Sequence, residues 1–212
     1  MKLYTLALSP NALRVRAVIN ELGLDVELVE VNFRNPEERN AMLLPLNPNN
    51  KVPVLVDGDF VLWESRAINA YLAGLRPERG LYPADLRQRA VVDQWSYWHA
   101  THLGPAMQRV SFERFVKAKF GMGAPDEAAA EAGLKETLHF LAVLDAQLAG
   151  KDWVAGALSI ADFNIASTFL YRSLVGISLE AAPNVSAWLD RMEARPSFAA
   201  AAAPVKAFIA AG

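Results

Sequence analysis

The chain has 212 residues, 53% of them hydrophobic and 21% charged, with a net charge of −2 and no cysteine. This balance supports a hydrophobic core and excludes an intrinsically disordered chain, while the weak acidity argues against the basic surface that nucleic acids require. The absence of cysteine excludes disulfide bonds, cysteine-bound metals and redox chemistry on a protein thiol, so any thiol chemistry needs a thiol from outside.

The N-terminal residues enter a strand-like pattern at once, without the longer apolar region and small-residue cleavage site of a signal peptide. No apolar run in the sequence approaches the length of a membrane-spanning helix. We therefore expect a cytoplasmic protein with no membrane partner.

The first 75 or so residues alternate between strand and helix patterns. Residues 3–8 form an apolar run of strand length, and a helical pattern then continues to Leu22, where Gly23 ends it. Residues 26–31 alternate between apolar and acidic side chains, which predicts a second, half-buried strand. The polar stretch that follows is predicted to be a connecting segment, and it contains Pro36, Pro45 and Pro48.

Two apolar runs, at residues 54–56 and 60–62, predict a pair of strands. Asp57-Gly58 between them indicates a tight hairpin, because glycine accepts the positive φ that such a turn requires. A helix is predicted from residue 65 to about residue 75. The resulting order predicts a small mixed sheet with helices packed on it, and this part of the sequence resembles a thioredoxin-like module.

A linker is predicted at residues 76–85, which contain two prolines and a glycine among charges, and the chain beyond it has only helical patterns. The predicted helices cover residues 86–120, 126–148, 159–174 and 183–192, and the alanine-rich end from residue 199 is compatible with another. The predicted fold is an α/β thioredoxin-like domain over residues 1–78 and an all-α domain over residues 86–212.

Three clusters in the first domain have residue types suited to chemistry. The first, Ser9-Pro10-Asn11, lies between the first strand and the first helix, where serine is a favoured N-cap and proline a favoured first helical residue. A serine hydroxyl at a helix N-terminus can also donate to an anion such as a thiolate, which the helix dipole favours. Taken alone, the three residues fit a simple helix cap better than a catalytic group.

The other two clusters are suited to an extended, peptide-like ligand. A cis bond between Val52 and Pro53 would turn the preceding backbone amide and carbonyl outward, although most X-Pro bonds are trans. Glu64 and Ser65 lie where a strand gives way to a helix, so the first-turn amides could bind a carboxylate and Glu64 an ammonium group. A capping serine beside a solvated charge explains this last pair equally well.

Together the three clusters resemble the cytosolic glutathione transferase family in residue type, order and spacing. The matching segments are SPNALRV at 9–15, NPNNKVPVLVD at 47–57 and LWESRAI at 62–68. Ser159 and Asp162 resemble the reciprocal N-cap pair of the family's helical domain. The start of the chain is similar to the bacterial serine-type members, which are theta- and delta-like, with some nu-like features.

The resemblance implies that the first domain binds glutathione as a co-substrate. Ser9 would hydrogen-bond to the glutathione sulfur, and Asn11 would share that position. The Val52 backbone would pair with the cysteinyl part of glutathione, with a cis Pro53 after it. The other implied contacts are Asn50 and Lys51 near the glycine carboxylate, and Glu64 and Ser65 at the γ-glutamyl end.

Other candidates lie outside these clusters. Tyr4 comes early in the first strand and is predicted to pack there. His99 and His102 share one face of the long helix, but two histidines without a third ligand do not predict a metal site. By family analogy this helix would wall the electrophile pocket, with His102 and Phe115 among the pocket residues.

The predicted function is conjugation of the glutathione thiolate to a small hydrophobic electrophile by a homodimer. A free thiol has a pKa of about 8.5, so a hydrogen bond to the anion and a helix N-terminus raise the thiolate fraction at neutral pH. Another glutathione-dependent activity stays open, such as disulfide or peroxide reduction, isomerisation or dehalogenation. The third alternative is a non-catalytic member of the family that binds a ligand or another protein.

Overall fold

The computed structural model describes residues 1–211, which divide into two compact units. The first unit contains residues 1–82 together with the chain from Arg195 onward, and the second contains residues 83–194. No helix among residues 1–211 combines the length and the apolar character needed to span a bilayer.

The first unit contains a mixed sheet whose four strands follow the order β2-β1-β3-β4 within the described residues. Its strands are β1 (Lys2–Thr5), β2 (Glu27–Glu30), β3 (Val54–Asp57) and β4 (Phe60–Trp63). β1 pairs with β2 in parallel, whereas β3 pairs antiparallel with both β1 and β4. Gly58 opens the turn between β3 and β4 with a φ of 63°, as the hairpin prediction required. The thioredoxin-like prediction for this half is confirmed.

The helices of the first unit are α1 (Pro10–Leu22), α2 (Pro36–Leu43), α3 (Ser65–Gly74) and α10 (Pro196–Ala210), with a short 3-10 turn at Pro77–Arg79. Two expectations need correction. β1 ends at Thr5 and not at residue 8, and the predicted connecting segment contains α2. Asn35 caps α2 by accepting the Glu38 amide at 3.2 Å, and Pro36 occupies the first helical position. Both are ordinary helix-start signals.

The core of the first unit forms around α1, which packs against both α3 and α10. Leu13 of α1, Ile68 of α3 and Phe198 of α10 are fully buried. The alanine-rich end that the sequence assigned to the domain of residues 86–212 therefore packs with the first unit. Its helix was compatible with the sequence, but the sequence did not indicate which core it joins.

The second unit is helical in its regular structure, as predicted. Its helices are α4 (Leu86–Trp98), α5 (Gly104–Ser111), α6 (Lys117–Phe120), α7 (Glu127–Leu148), α8 (Ile160–Ala166) and α9 (Pro183–Ala194). α4 to α6 form the single long helix expected for residues 86–120, but π turns at His99–Leu103 and Phe112–Val116 interrupt it. A 3-10 segment, Ser167–Val175, continues α8.

Ser159 and Asp162 form the predicted reciprocal cap at the start of α8. The buried Asp162 carboxylate accepts hydrogen bonds from the Ser159 amide at 2.9 Å, the Val154 amide at 3.0 Å and the Trp188 indole at 2.9 Å. Burial raises the pKa of Asp162 in spite of these donors. The residue thus acts in folding, where it joins α8 to the loop before it and to α9.

Candidate functional site

The register of the sheet brings the three sequence clusters to one edge of the first unit. Tyr4 lies opposite Val54, and Val54 lies opposite Trp63. The chain that follows β1, the chain that precedes β3 and the chain that follows β4 therefore meet at the same edge. We call this edge the sheet-edge site and define it by Ser9, Val52, Pro53, Glu64 and Ser65.

Ser9 is the N-cap of α1, with an extended backbone and Pro10 after it. Its Oγ accepts the Ala12 amide at 3.3 Å, and its carbonyl accepts the Leu13 amide at 2.9 Å. A hydroxyl oxygen that accepts one hydrogen bond still has its own O–H to donate. The cap geometry therefore leaves Ser9 able to donate to an anion at the positive end of the α1 dipole. Asn11 lies exposed in the first turn beside it.

The Val52–Pro53 peptide bond is cis. Pro53 is buried and Val52 is partly buried, and neither the amide nor the carbonyl of Val52 has a hydrogen-bond partner among residues 1–211. An extended peptide segment can pair with such a backbone as a further strand does. The cis bond is the one that the resemblance implied for this position.

A buried asparagine organises the loop before Val52. Asn47 donates from Nδ2 to the Lys51 carbonyl at 2.8 Å, and its Oδ1 accepts the Asn49 amide at 3.0 Å. Asn50 adopts a positive φ of 53° and donates to Asn40 Oδ1 of α2 at 2.6 Å. Lys51 is exposed. Of the two residues expected near the glycine carboxylate, Lys51 is an exposed cation, while the Asn50 side chain already donates to Asn40 of α2.

Glu64 and Ser65 differ from the prediction in one respect. Ser65 was expected to cap α3, but it is the first helical residue, and Glu64 takes the cap position without a side-chain cap bond. Glu64 is exposed and has a φ of 73°, a value that is uncommon outside glycine and concentrated at ligand sites. The Glu64 side chain therefore makes no cap bond to the first-turn amides of α3.

Two arginines that sequence reasoning missed lie beside this pair. Arg14 of α1 is buried, and its Nη1 lies 3.5 Å from Ser65 Oγ. Burial lowers the pKa of Arg14 well below its usual value, and Arg66 lowers it further while Glu64 opposes the shift. Burial likewise lowers the pKa of Arg66 to about 10, again against Glu64. Guanidinium groups stay protonated in proteins, so two cationic side chains lie at the start of α3.

The candidates outside the sheet-edge site lie in other surroundings. Tyr4 packs against the cluster of Val31, Leu43 and Val54, as expected. His99 is buried in the second unit, with Nε2 2.9 Å from Thr168 Oγ1. His102 is exposed and lies against the Phe140 ring at a centroid distance of 5.4 Å. The half-buried Phe115 lies 5.7 Å from the Tyr171 ring.

No cluster of three or more histidine, aspartate or glutamate side chains suited to a metal ion occurs among residues 1–211.

Proteins of known family match this sequence over almost its whole length. The glutathione S-transferase N-terminal domain family matches residues 1–74, and the corresponding C-terminal domain family matches residues 103–196. Glutathione S-transferase 3 of Zea mays is 37% identical over 207 residues, with 93% of this chain and 91% of the relative covered. Glutathione S-transferase 1 of Zea mays is 34% identical, with 97% of each chain covered.

Two solved structures are similar to this chain. Glutathione S-transferase I of maize, in complex with an atrazine glutathione conjugate, superposes with a TM-score of 0.84 at 33% identity and 97% coverage of each chain. A transferase family member from Pseudomonas fluorescens, with two glutathione molecules bound, superposes with a TM-score of 0.81 at 28% identity. The match covers 94% of this chain and 91% of that one.

Proposed function

Because the chain belongs to the glutathione S-transferase family, we propose that it conjugates the glutathione thiolate to a small hydrophobic electrophile, with Ser9 stabilising the thiolate. The observation that carries the proposal is the position of Ser9. Its hydroxyl caps α1 at the edge where the Val52 backbone, Glu64 and Ser65 also lie.

In the proposed mechanism the Ser9 O–H donates to the glutathione sulfur, and the N-terminus of α1 adds a favourable field. Both favour the anion and lower the thiol pKa from about 8.5. The thiol proton passes to solvent, and the sulfur lone pair then forms a bond to the electrophilic carbon as the leaving group departs. Asn11, exposed in the same turn, is proposed to share the sulfur position.

The rest of glutathione is proposed to lie along the sheet-edge site and the loop before it. The amide and carbonyl of Val52, before cis Pro53, would pair with the cysteinyl backbone. Glu64 would bind the α-ammonium group, and Ser65 with the first-turn amides of α3 the neighbouring carboxylate. The glycine carboxylate would lie near Asn50 and Lys51. The contact of Asn50 with Asn40 supports Lys51 as the charged partner of this carboxylate.

The electrophile is proposed to bind against the helices of the second unit, while residues 1–78 bind glutathione. Phe115 and His102 are the proposed pocket residues. The maize structure with an atrazine conjugate is the support for an aromatic, hydrophobic electrophile.

The class expectation needs correction, because these comparisons support the family but not a bacterial theta- or delta-like member. Relatives at 33 to 37% identity include transferases of maize, rice and Hyoscyamus muticus, all plants. The serine-based chemistry itself remains part of the proposal and rests on Ser9.

A homodimer and a cytoplasmic location are further parts of this proposal. The apolar side chains Phe60, Val61 and Trp63 are exposed on β4, an edge strand that a second copy of the chain could cover. A monomeric mass in sedimentation equilibrium would contradict the dimer. Recovery of the protein in a membrane or secreted fraction would contradict the location.

Substitution of Ser9 tests the mechanism. Ser9→Ala removes the hydroxyl, and we expect kcat with a chlorinated aromatic substrate to fall on the order of a hundredfold, the usual cost of one anion-stabilising donor. The pKa of the bound thiol, followed by thiolate absorbance, should rise toward that of free glutathione. Binding of glutathione, measured by calorimetry, should change little because the other contacts remain.

Two further variants separate chemistry from capping. Ser9→Gly also lacks the hydroxyl but costs a helix cap only a few tenths of a kcal/mol, so it should lose turnover without losing stability. Ser9→Thr keeps a hydroxyl and should retain part of the activity. Wild-type turnover in Ser9→Gly would reject Ser9 as the activating residue.

A comparison of two substrates tests the reaction type. If the protein turns over a disulfide that glutathione can reduce faster than the chlorinated aromatic substrate, disulfide reduction would be favoured over conjugation.

A further inference from the structure

A buried arginine connects the loop before Ser9 to the C-terminal helix. Arg16 of α1 is 7% exposed, and its guanidinium donates to Thr5 Oγ1 at 3.1 Å and to the Leu6 carbonyl at 3.1 Å. It also donates to the Ala7 carbonyl at 2.7 Å and to the Ala201 carbonyl of α10 at 3.3 Å. One side chain thus binds three successive residues, the last residue of β1 and the two that follow it.

The Leu6 carbonyl relates Arg16 directly to Ser9. This oxygen accepts the Arg16 guanidinium at 3.1 Å and the Ser9 amide at 3.0 Å. The turn that orients the backbone of Ser9 is therefore closed on an oxygen that Arg16 holds in place. On the opposite side, the Ala7 amide donates to Glu30 at 2.7 Å. The loop is thus fixed from α1 and from β2.

The acceptor on α10 lies next to the place where Pro204 removes one backbone hydrogen bond of that helix. Pro204 lies within α10 and has no amide hydrogen to donate to the carbonyl four residues earlier, that of Ala200. The next carbonyl, that of Ala201, accepts Arg16. A planar guanidinium donates several hydrogen bonds in fixed directions, which an ammonium group does not. The position therefore suits arginine specifically.

We propose that Arg16 is the positioning residue for Ser9. Because Arg16 also donates to α10, that helix helps to hold the thiol site in place. This inference rests on the proposed role of Ser9. Arg16 does not touch the substrate. It keeps the Ser9 hydroxyl in the geometry in which it donates to the sulfur, and a displacement of about 1 Å at such a group costs up to a hundredfold in rate.

The test compares Arg16 with an arginine that joins the same two helices elsewhere. Arg195 pairs with Glu21 near the C-terminal end of α1, whereas Ser9 caps the N-terminal end of that helix. We expect Arg16→Lys and Arg16→Gln to raise the pKa of bound glutathione and to lower kcat about tenfold or more, with the KM for glutathione little changed. Arg195→Gln should lower the Tm but leave the thiol pKa and kcat as in the wild type.

A double-variant cycle shows whether Arg16 acts through Ser9. In the Ser9→Gly background, Arg16→Lys should no longer shift the thiol pKa, since the hydroxyl that it positions is gone. Arg16→Lys keeps the cation and most of the side-chain volume, so it carries the test if Arg16→Gln fails to fold.

Three results would count against the inference. A wild-type thiol pKa and kcat in folded Arg16→Lys would overturn it, and so would an equal shift in Arg195→Gln, which would indicate general loosening of α10. A full Arg16→Lys effect in the Ser9→Gly background would also do so. If instead Ser9→Gly alone leaves the thiol pKa unchanged, the proposed function of Ser9 fails, and that result is distinct from the other three.

Discussion

Asn47 gives the loop before Val52 its shape through one buried side chain. Its donor and its acceptor are both used within the loop, on the Lys51 carbonyl and the Asn49 amide. This turn sets the positions of Lys51 and Val52, and both residues are proposed to contact glutathione. The loop is therefore positioned by a residue that needs no contact with the ligand.

Asn47→Ala should weaken glutathione binding about tenfold while leaving kcat at saturating glutathione near the wild-type value. The substitution removes two hydrogen bonds that hold the loop, each worth about 0.5–1.5 kcal/mol. Isothermal calorimetry and steady-state kinetics measure the two quantities. Asn49→Ala is the matched control, because it removes only one hydrogen bond from an exposed residue. Equal losses of affinity in the two variants would contradict this account.

Single residues of the site could be predicted only where a motif determined them. Ser9 and the cis Pro53 were accessible, because each lies in a segment whose spacing resembles a known pattern. Arg14 was visible in the first segment, yet nothing in a sequence distinguishes a buried arginine from a solvated one. Glu64, and not Ser65, takes the cap position of α3, and it does so with a positive φ. No feature of a sequence indicates that a residue other than glycine will adopt such a value.

Among the helices, the π turn of His99–Leu103 has an identifiable local cause. The Gly104 amide donates to the His99 carbonyl, five residues back. A Cβ on Gly104 would lie 2.7 Å from that carbonyl oxygen and 3.3 Å from the His99 ring. Glycine therefore permits the close approach that the π turn requires, and a helical periodicity alone could not predict it. α2 was missed because the prolines at 36, 45 and 48 suggested a loop, whereas the first of them, Pro36, begins the helix.

Gly104→Ala should lower the free energy of unfolding by about 1–3 kcal/mol, because backbone or the buried His99 ring has to move. Denaturation by urea measures the change. Gly74→Ala provides the control, since a Cβ there meets nothing within 4 Å and the residue has no positive φ. That variant should be neutral or slightly more stable. A Gly104→Ala variant as stable as wild type would show that the π turn tolerates a side chain.

At the level of the whole chain, an ion pair joins α1 to the start of α10, two elements that lie far apart in the sequence. Glu21 of α1 accepts hydrogen bonds from Arg195 and Ser197, and Asn20 donates to the Ser197 carbonyl at 3.1 Å. The order of elements in the first 75 residues could be predicted from periodicity and turns. The return of α10 could not, because packing between distant segments leaves no local pattern.

Stability should depend on pH through Glu21. Its burial opposes ionisation, but the hydrogen bonds from Arg195 and Ser197 outweigh this, and the nearby charges of Arg195 and Arg79 add to them. The pKa is therefore lowered from its ordinary value of 4.5. Because the unfolded chain binds the proton more tightly, the contribution is present above that value and is lost as the pH falls through the lower, folded-state pKa.

Glu21→Gln should therefore cost about 1 kcal/mol at pH 7, a figure kept small because the pair is partly exposed. The difference between variant and wild type should shrink as urea denaturation is repeated at pH values below 4.5. Lys2→Gln is the control, since its ion pair with Glu27 is far more exposed and should matter less. A difference that does not change with pH would exclude Glu21 as the source.

The packing of α10 on α1 also has a consequence for synthesis. Arg16 and the Ala201 carbonyl are 185 residues apart in the sequence, and Phe198 is fully buried in the first unit. Contacts of such separation form late, because a long loop has to close first. On the ribosome, the first unit can assemble its sheet early, but its core stays incomplete until nearly the whole chain has emerged. A chain truncated before α10 would therefore expose apolar surface in the unit proposed to bind glutathione, and quality-control machinery could recognise that surface.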